Sequence, residues 1–148
     1  MKPTRITVLV LLAAAAGSVS YLLTSNFYND IPPLPLLGPI FLVLLAAAEA
    51  YTASTTAARL AGRPRTQPIH PLTVARIAVL AKATSPVAAI AAGAYAGVLA
   101  YVAQLEGPHA SADLRAAIAG VVASVLLAIA ALAMERVCRV KEPPPDDR

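Results

Sequence analysis

The strongest constraint on this chain is where its charges are missing. Four apolar stretches interrupt a sequence of 148 residues: Ile6 to Thr24, roughly Leu36 to Ala58, Leu72 to Leu105, and Leu114 to Val137. A helix rising 1.5 Å per residue needs about 20 residues to cross about 30 Å of hydrocarbon, and each stretch meets that length. Lipid offers the backbone no hydrogen-bond partner, so every N–H and C=O must be satisfied within the spanning element. Ala-, Leu- and Val-rich runs do this as helices, and the alternation of a membrane strand is absent. The predicted fold is therefore all-α: a polytopic four-helix membrane bundle over residues 1–142. Its spans fall at about 6–24, 36–58, 77–105 and 114–137, with a disordered tail at 143–148. Residues 72–82 are expected to extend the third span at the interface, because the third run is too long for one perpendicular crossing.

Composition agrees. Hydrophobic residues make up 58% of the chain and charged residues 14%, well below the quarter usual in soluble domains. Ten of the twelve Lys and Arg residues fall at the N-terminus, the middle loop and its borders, or the C-terminal side: Lys2, Arg5, Arg59, Arg63, Arg65, Arg76, Arg136, Arg139, Lys141 and Arg148. The opposite connections hold only Arg115, against Asp30, Glu106 and Asp113. The positive-inside rule then places both termini in the cytoplasm, and four spans give the same parity. The basic residues flank apolar runs and form no stripe with interleaved aromatics, so a nucleic-acid partner is not expected. The basic start, apolar middle and small residues Ser18 and Ser20 also fit a signal peptide. The continuing apolar run through Leu22 and Leu23 favours a retained anchor.

Glu49 is the conspicuous exception within the apolar runs. It lies about 20 Å along the second helix by its rise. An ionised carboxylate there costs at least about 2.5–3.5 kcal/mol on insertion scales, so it should face protein, face water or carry a proton. Thr52, Thr56 and Arg59 follow at helical spacing, and Lys82 near the cytoplasmic end of span three is the available cation. The two readings of Glu49, Thr52, Thr56 and Lys82 are interhelical hydrogen bonding, with Lys82 reaching outward to headgroups, and a proton or cation site. The first is the expectation.

Small residues recur every fourth position on span three, at Ala81, Ser85, Ala89, Gly93 and Gly97, and on span four at Ala116, Gly120, Ser124 and Ala128. Such ridges let helix backbones approach closely, and packing drives association in lipid where burial of apolar surface no longer does. The two ridges are expected to face each other. Pro86 should bend span three, with Ser85 or a neighbouring helix available to the freed carbonyl. Ser111 or Asp113 is placed to cap span four. Tyr21, Phe27, Tyr28 and Tyr101 suit an interfacial belt. Cys138 lies beside Arg136 and Arg139; a plain free thiol is the expectation, and the alternatives are a pKa lowered by those cations or a palmitoylation site. A single Cys and two His residues in loops on opposite sides support no metal site and no disulfide. No nucleophile–base pair, phosphate loop or paired catalytic carboxylates is present, so no cofactor and no enzymatic activity are expected.

The Pro-Leu-x-x-Ala-Arg entry at 71–76, the Ala-Gly-x-Tyr-x-Gly turn at 92–97 and the Glu-Arg-x-Cys exit at 135–138 resemble an actinobacterial family of small membrane proteins, domain of unknown function 3180. The resemblance covers nearly the whole chain and implies an actinobacterial plasma membrane. Lys82 stands where it implies a neutral polar residue. The family carries no established activity. The sequence therefore leads to a non-enzymatic accessory or scaffold protein acting through transmembrane helix contacts, with itself or with a membrane-protein partner. The alternative is a small transporter or channel subunit with a polar path around Glu49.

Overall fold

A computed structural model describes residues 5–28, 32–60 and 71–138 of the chain. Four helices account for nearly all of them: α1 (Ile6–Phe27), α2 (Leu37–Leu60), α3 (Pro71–Val102) and α4 (Pro108–Val137). All four are long and apolar enough to cross a membrane, as the sequence predicts. The basic middle loop with His70, the first four residues and the C-terminal tail from 139 lie outside the described residues.

α3 is one continuous helix of 32 residues, about 48 Å by its rise, so the interfacial extension and the third span form a single rod. Pro86 sits inside it. Its missing N–H leaves the carbonyl four residues back, at Lys82, without its helical donor. The Ser85 hydroxyl does not serve that carbonyl; it donates instead to Ala81 O at 2.9 Å.

α4 begins earlier than its apolar run. Gly107 adopts φ 133°, a conformation that only glycine enters cheaply, and Pro108 opens the helix with a ring already set to helical φ. The expected caps are used otherwise. Ser111 Oγ donates to the Pro108 carbonyl at 2.8 Å, and Asp113 points out of the second turn toward the α1–α2 connection.

The packing order across the bundle is α1, α3, α4, α2. α1 leans on α3, α3 on α4, and α4 on α2, so the first two helices are neighbours in sequence without being packed partners. Two buried clusters tie α2, α3 and α4 together. Ala46, Ala88 and Leu127 form one level. Ala53, Val74, Ala81, Met134 and Cys138 form the other. Large apolar side chains such as Leu11, Phe41, Val87 and Ile129 point outward, as expected where the surroundings are lipid.

The ridge on α3 divides its work. Successive steps of four residues rotate about 40° around a helix of 3.6 residues per turn, so a stripe from 81 to 97 swings about 160°. Its lower part, Ala81, Ser85 and Ala89, is buried, with Ala81 in the α2–α3–α4 core. Its upper part faces α1. A Cβ on Gly93 would overlap the Ala13 carbonyl, one on Gly97 would overlap the Gly17 carbonyl, and one on Gly17 would stand 3.1 Å from Gly93 O. Backbone meets backbone there, and Ser20 Oγ adds a bond to Ala94 O at 2.9 Å. The expected pairing of this ridge with α4 therefore fails at its glycine end. Gly120 on α4 instead receives the ring of Tyr95, and Gly38 on α2 receives the Tyr95 hydroxyl. Ser124 is fully buried and donates to Gly120 O at 2.7 Å.

Candidate intramembrane site

Glu49 lies halfway along α2, on the stripe Ala46, Glu49, Ala53 and Thr56 that is buried against the rest of the bundle. Its exposure is 3%, and neither carboxylate oxygen has a hydrogen-bond partner. Thr84 of α3 faces the carboxylate, but its hydroxyl donates to the Leu80 carbonyl at 3.1 Å. The other candidates fall on either side of this buried group. Thr56 is buried at 2% exposure. Thr52 is half-buried and turns its hydroxyl back to Ala48 O at 2.8 Å, because Ala53, one residue on, takes the inward position. Lys82 is exposed and does not reach the carboxylate, whose oxygens have no donor. Arg59 is also exposed. Removing an ionised carboxylate from water without a partner costs several kcal/mol, so the charge state of Glu49 is the chemical question of this site.

Sequence reasoning passed over a second polar junction, at the opposite end of the bundle. Asp113, 5% exposed, accepts from Tyr28 Oη at 2.9 Å with one carboxylate oxygen and from the Leu34 backbone N–H at 2.8 Å with the other. The rings of Tyr21 and Tyr28 meet Tyr101 edge to face, with centroids 6.0 and 5.6 Å away. Burial, then the hydrogen bond to Asp113 and its charge, push the Tyr28 hydroxyl above the usual tyrosine range. Distance in sequence hides this junction; the Tyr-rich ends were its only signal.

Cys138 closes α4 and packs into the lower cluster. It is a free thiol, and burial raises its pKa, against the alternative of a lowering by the neighbouring arginines. His109 is exposed at the start of α4. Among the described residues no group of His, Cys, Asp or Glu could hold a metal ion.

Two grooves open sideways. One, of about 820 Å³, runs between α1 and α3 past Ala14, Gly17, Leu22, Ala96 and Ala100. The other, of about 710 Å³, lies between the start of α2 and α3, past Leu37, Phe41, Ala91 and Tyr95. Neither includes Glu49.

Four long apolar helices in a bundle, with large apolar side chains facing outward, define a multi-pass α-helical membrane protein. The chain belongs to the family described as "Protein of unknown function (DUF3180)", which it matches over residues 9–142. Neither the curated proteins nor the solved structures contain a significant match.

Proposed function

We propose that the chain is a non-enzymatic accessory or scaffold protein of the plasma membrane that works by presenting helix surfaces to another membrane-embedded chain, a second copy or a partner. The observation that carries this reading is the pair of lateral, apolar grooves flanking α3. Where the solvent is lipid, grooves floored by Ala and Gly favour occupation by another helix through close van der Waals contact. The buried carboxylates Glu49 and Asp113 line neither groove.

The orientation in this reading has both termini in the cytoplasm of an actinobacterial cell. Arg5, Arg59, Arg76 and Arg136 fall at one end of an up-and-down bundle, and Glu106, Asp113 and Arg115 at the other. A small transporter or channel subunit is the second reading, and its support is Glu49. It is weaker because Glu49 lines neither groove and Thr52 does not share its buried stripe.

The experiment is purification in mild detergent with native mass measurement and identification of co-purifying chains. The scaffold reading expects a defined assembly that Ala96→Trp in the α1–α3 groove disperses and Ile129→Trp on the outer face of α4 does not. Monomer alone, with no partner, would overturn it.

A further inference from the structure

Glu49 is placed between the two buried levels of the α2–α3–α4 core. On α2 it falls between Ala46 and Ala53; the corresponding stretch of α3 runs from Ala81 to Ala88, and that of α4 from Leu127 to Met134. The buried residues in those stretches are Ala81, Thr84, Ser85 and Ala88 on α3, and Leu127, Ala130, Ala131 and Met134 on α4. Every one is apolar or carries only a hydroxyl. The charged residues of the same helices lie elsewhere. Lys82 and Arg76 on α3, Arg136 on α4 and Arg59 on α2 are exposed, and Glu135 is half-buried. No buried cation stands among the described residues to neutralise a carboxylate.

The hydroxyls in this core point to the charge state. Thr84 donates to Leu80 O at 3.1 Å, Ser85 to Ala81 O at 2.9 Å and Ser124 to Gly120 O at 2.7 Å. Each has given its one proton to a carbonyl four residues back on its own helix, and so offers only lone pairs to the surroundings. A carboxylate facing such an oxygen meets an acceptor with an acceptor. A carboxylic acid facing it has a donor for that acceptor. We propose that Glu49 is an occluded proton-binding site, its carboxyl held as the neutral acid between α2, α3 and α4 with Thr84 Oγ1 as the acceptor of its O–H. A dehydrated metal cation is the competing occupant for one carboxylate among several hydroxyl oxygens. It needs a cage of several oxygen ligands, and among the described residues no cluster of carboxylates gathers around Glu49. This inference stands apart from the scaffold reading, since it concerns the sealed core and not the grooves.

Infrared spectroscopy on the full chain in lipid vesicles tests it. At neutral pH the wild type minus Glu49→Gln difference should contain the C=O stretch of a protonated carboxylic acid, unchanged when sodium replaces choline in the buffer. Wild-type protein carrying ¹³C-carboxyl glutamate should show the same band shifted by the isotope, which keeps the test valid if Glu49→Gln fails to fold. Thr84→Val removes the acceptor and should shift the band to higher frequency without abolishing it. Carboxylate stretches in place of the acid band at neutral pH would overturn the proposal. So would loss of the acid band on adding sodium, which would assign the site to a cation.

Discussion

The Tyr28 hydroxyl donates a 2.9 Å hydrogen bond to Oδ2 of Asp113, 85 positions away along the chain. With Oδ1 of the same residue holding the Leu34 N–H, one carboxylate fastens the connection after α1 to the second turn of α4. α1 and α2 are not packed partners, and this junction is a polar link between their connection and the rest of the bundle.

Asp113→Ala should therefore destabilise more than Tyr28→Phe. The first strands a backbone donor and a phenol; the second leaves the Leu34 bond intact. Hydrogen bonds to a charged group contribute about 1.5–3 kcal/mol, with the lower end expected at this partly exposed edge. Unfolding in detergent and amide exchange at Leu34 measure both. Faster exchange at Leu34 is expected only for Asp113→Ala.

Alkali should weaken the same junction. Tyr28 holds its proton more tightly folded than unfolded, so the native state binds more protons as pH climbs past the unfolded tyrosine value of about 10. Its contribution to stability is complete below that value and is lost as pH rises toward the folded one. The late-titrating part of the tyrosinate absorbance should lose the amplitude of one tyrosine in Tyr28→Phe.

The α1–α3 contact should tolerate no side chain at its glycines. Gly93→Ala puts a methyl group into the Ala13 carbonyl, backbone that cannot swing aside. Overpacking of this kind costs about 1–3 kcal/mol. Ala83→Leu, at an exposed position of the same helix outside both grooves, should be near neutral. Thermal unfolding in one detergent compares the two, and equal stabilities would contradict the backbone-to-backbone contact.

Gly120 and Tyr95 should behave as one unit. A methyl group at 120 overlaps the base of the Tyr95 ring, so Gly120→Ala should also cost about 1–3 kcal/mol. In a Tyr95→Ala background the space is already empty, and the added cost should fall by most of that amount. Additive costs in the double-mutant cycle would show that the ring and the glycine do not meet.

Cys138 should resist alkylation while the chain is folded. The thiolate is the reactive form, and burial raises the pH at which it appears. Maleimide at neutral pH is expected to leave the folded protein unmodified over a time in which denatured protein reacts fully. Rapid labelling of the native chain would place the thiol outside the cluster with Met134 and Ala53.

The number, length and helical character of the four spans could be read from residue order alone, because a bilayer tests each segment separately: a helix satisfies its own backbone, and about twenty apolar residues suffice. The burial of Glu49 was legible for the same reason, since a carboxylate in mid-span has few places to go. Which helix meets which was not legible. In lipid the outside of a bundle is as apolar as its inside, so hydrophobic periodicity does not mark the buried face, and small residues recur on every side of these Ala-rich helices. Only the tertiary structure decided that Gly93 and Gly97 meet α1, that Gly120 holds Tyr95, that Ala53 displaces Thr52 from the buried stripe, and that Asp113 anchors a distant loop. These outcomes depend on close backbone approach and on contacts between positions far apart in the chain, which local pattern does not encode.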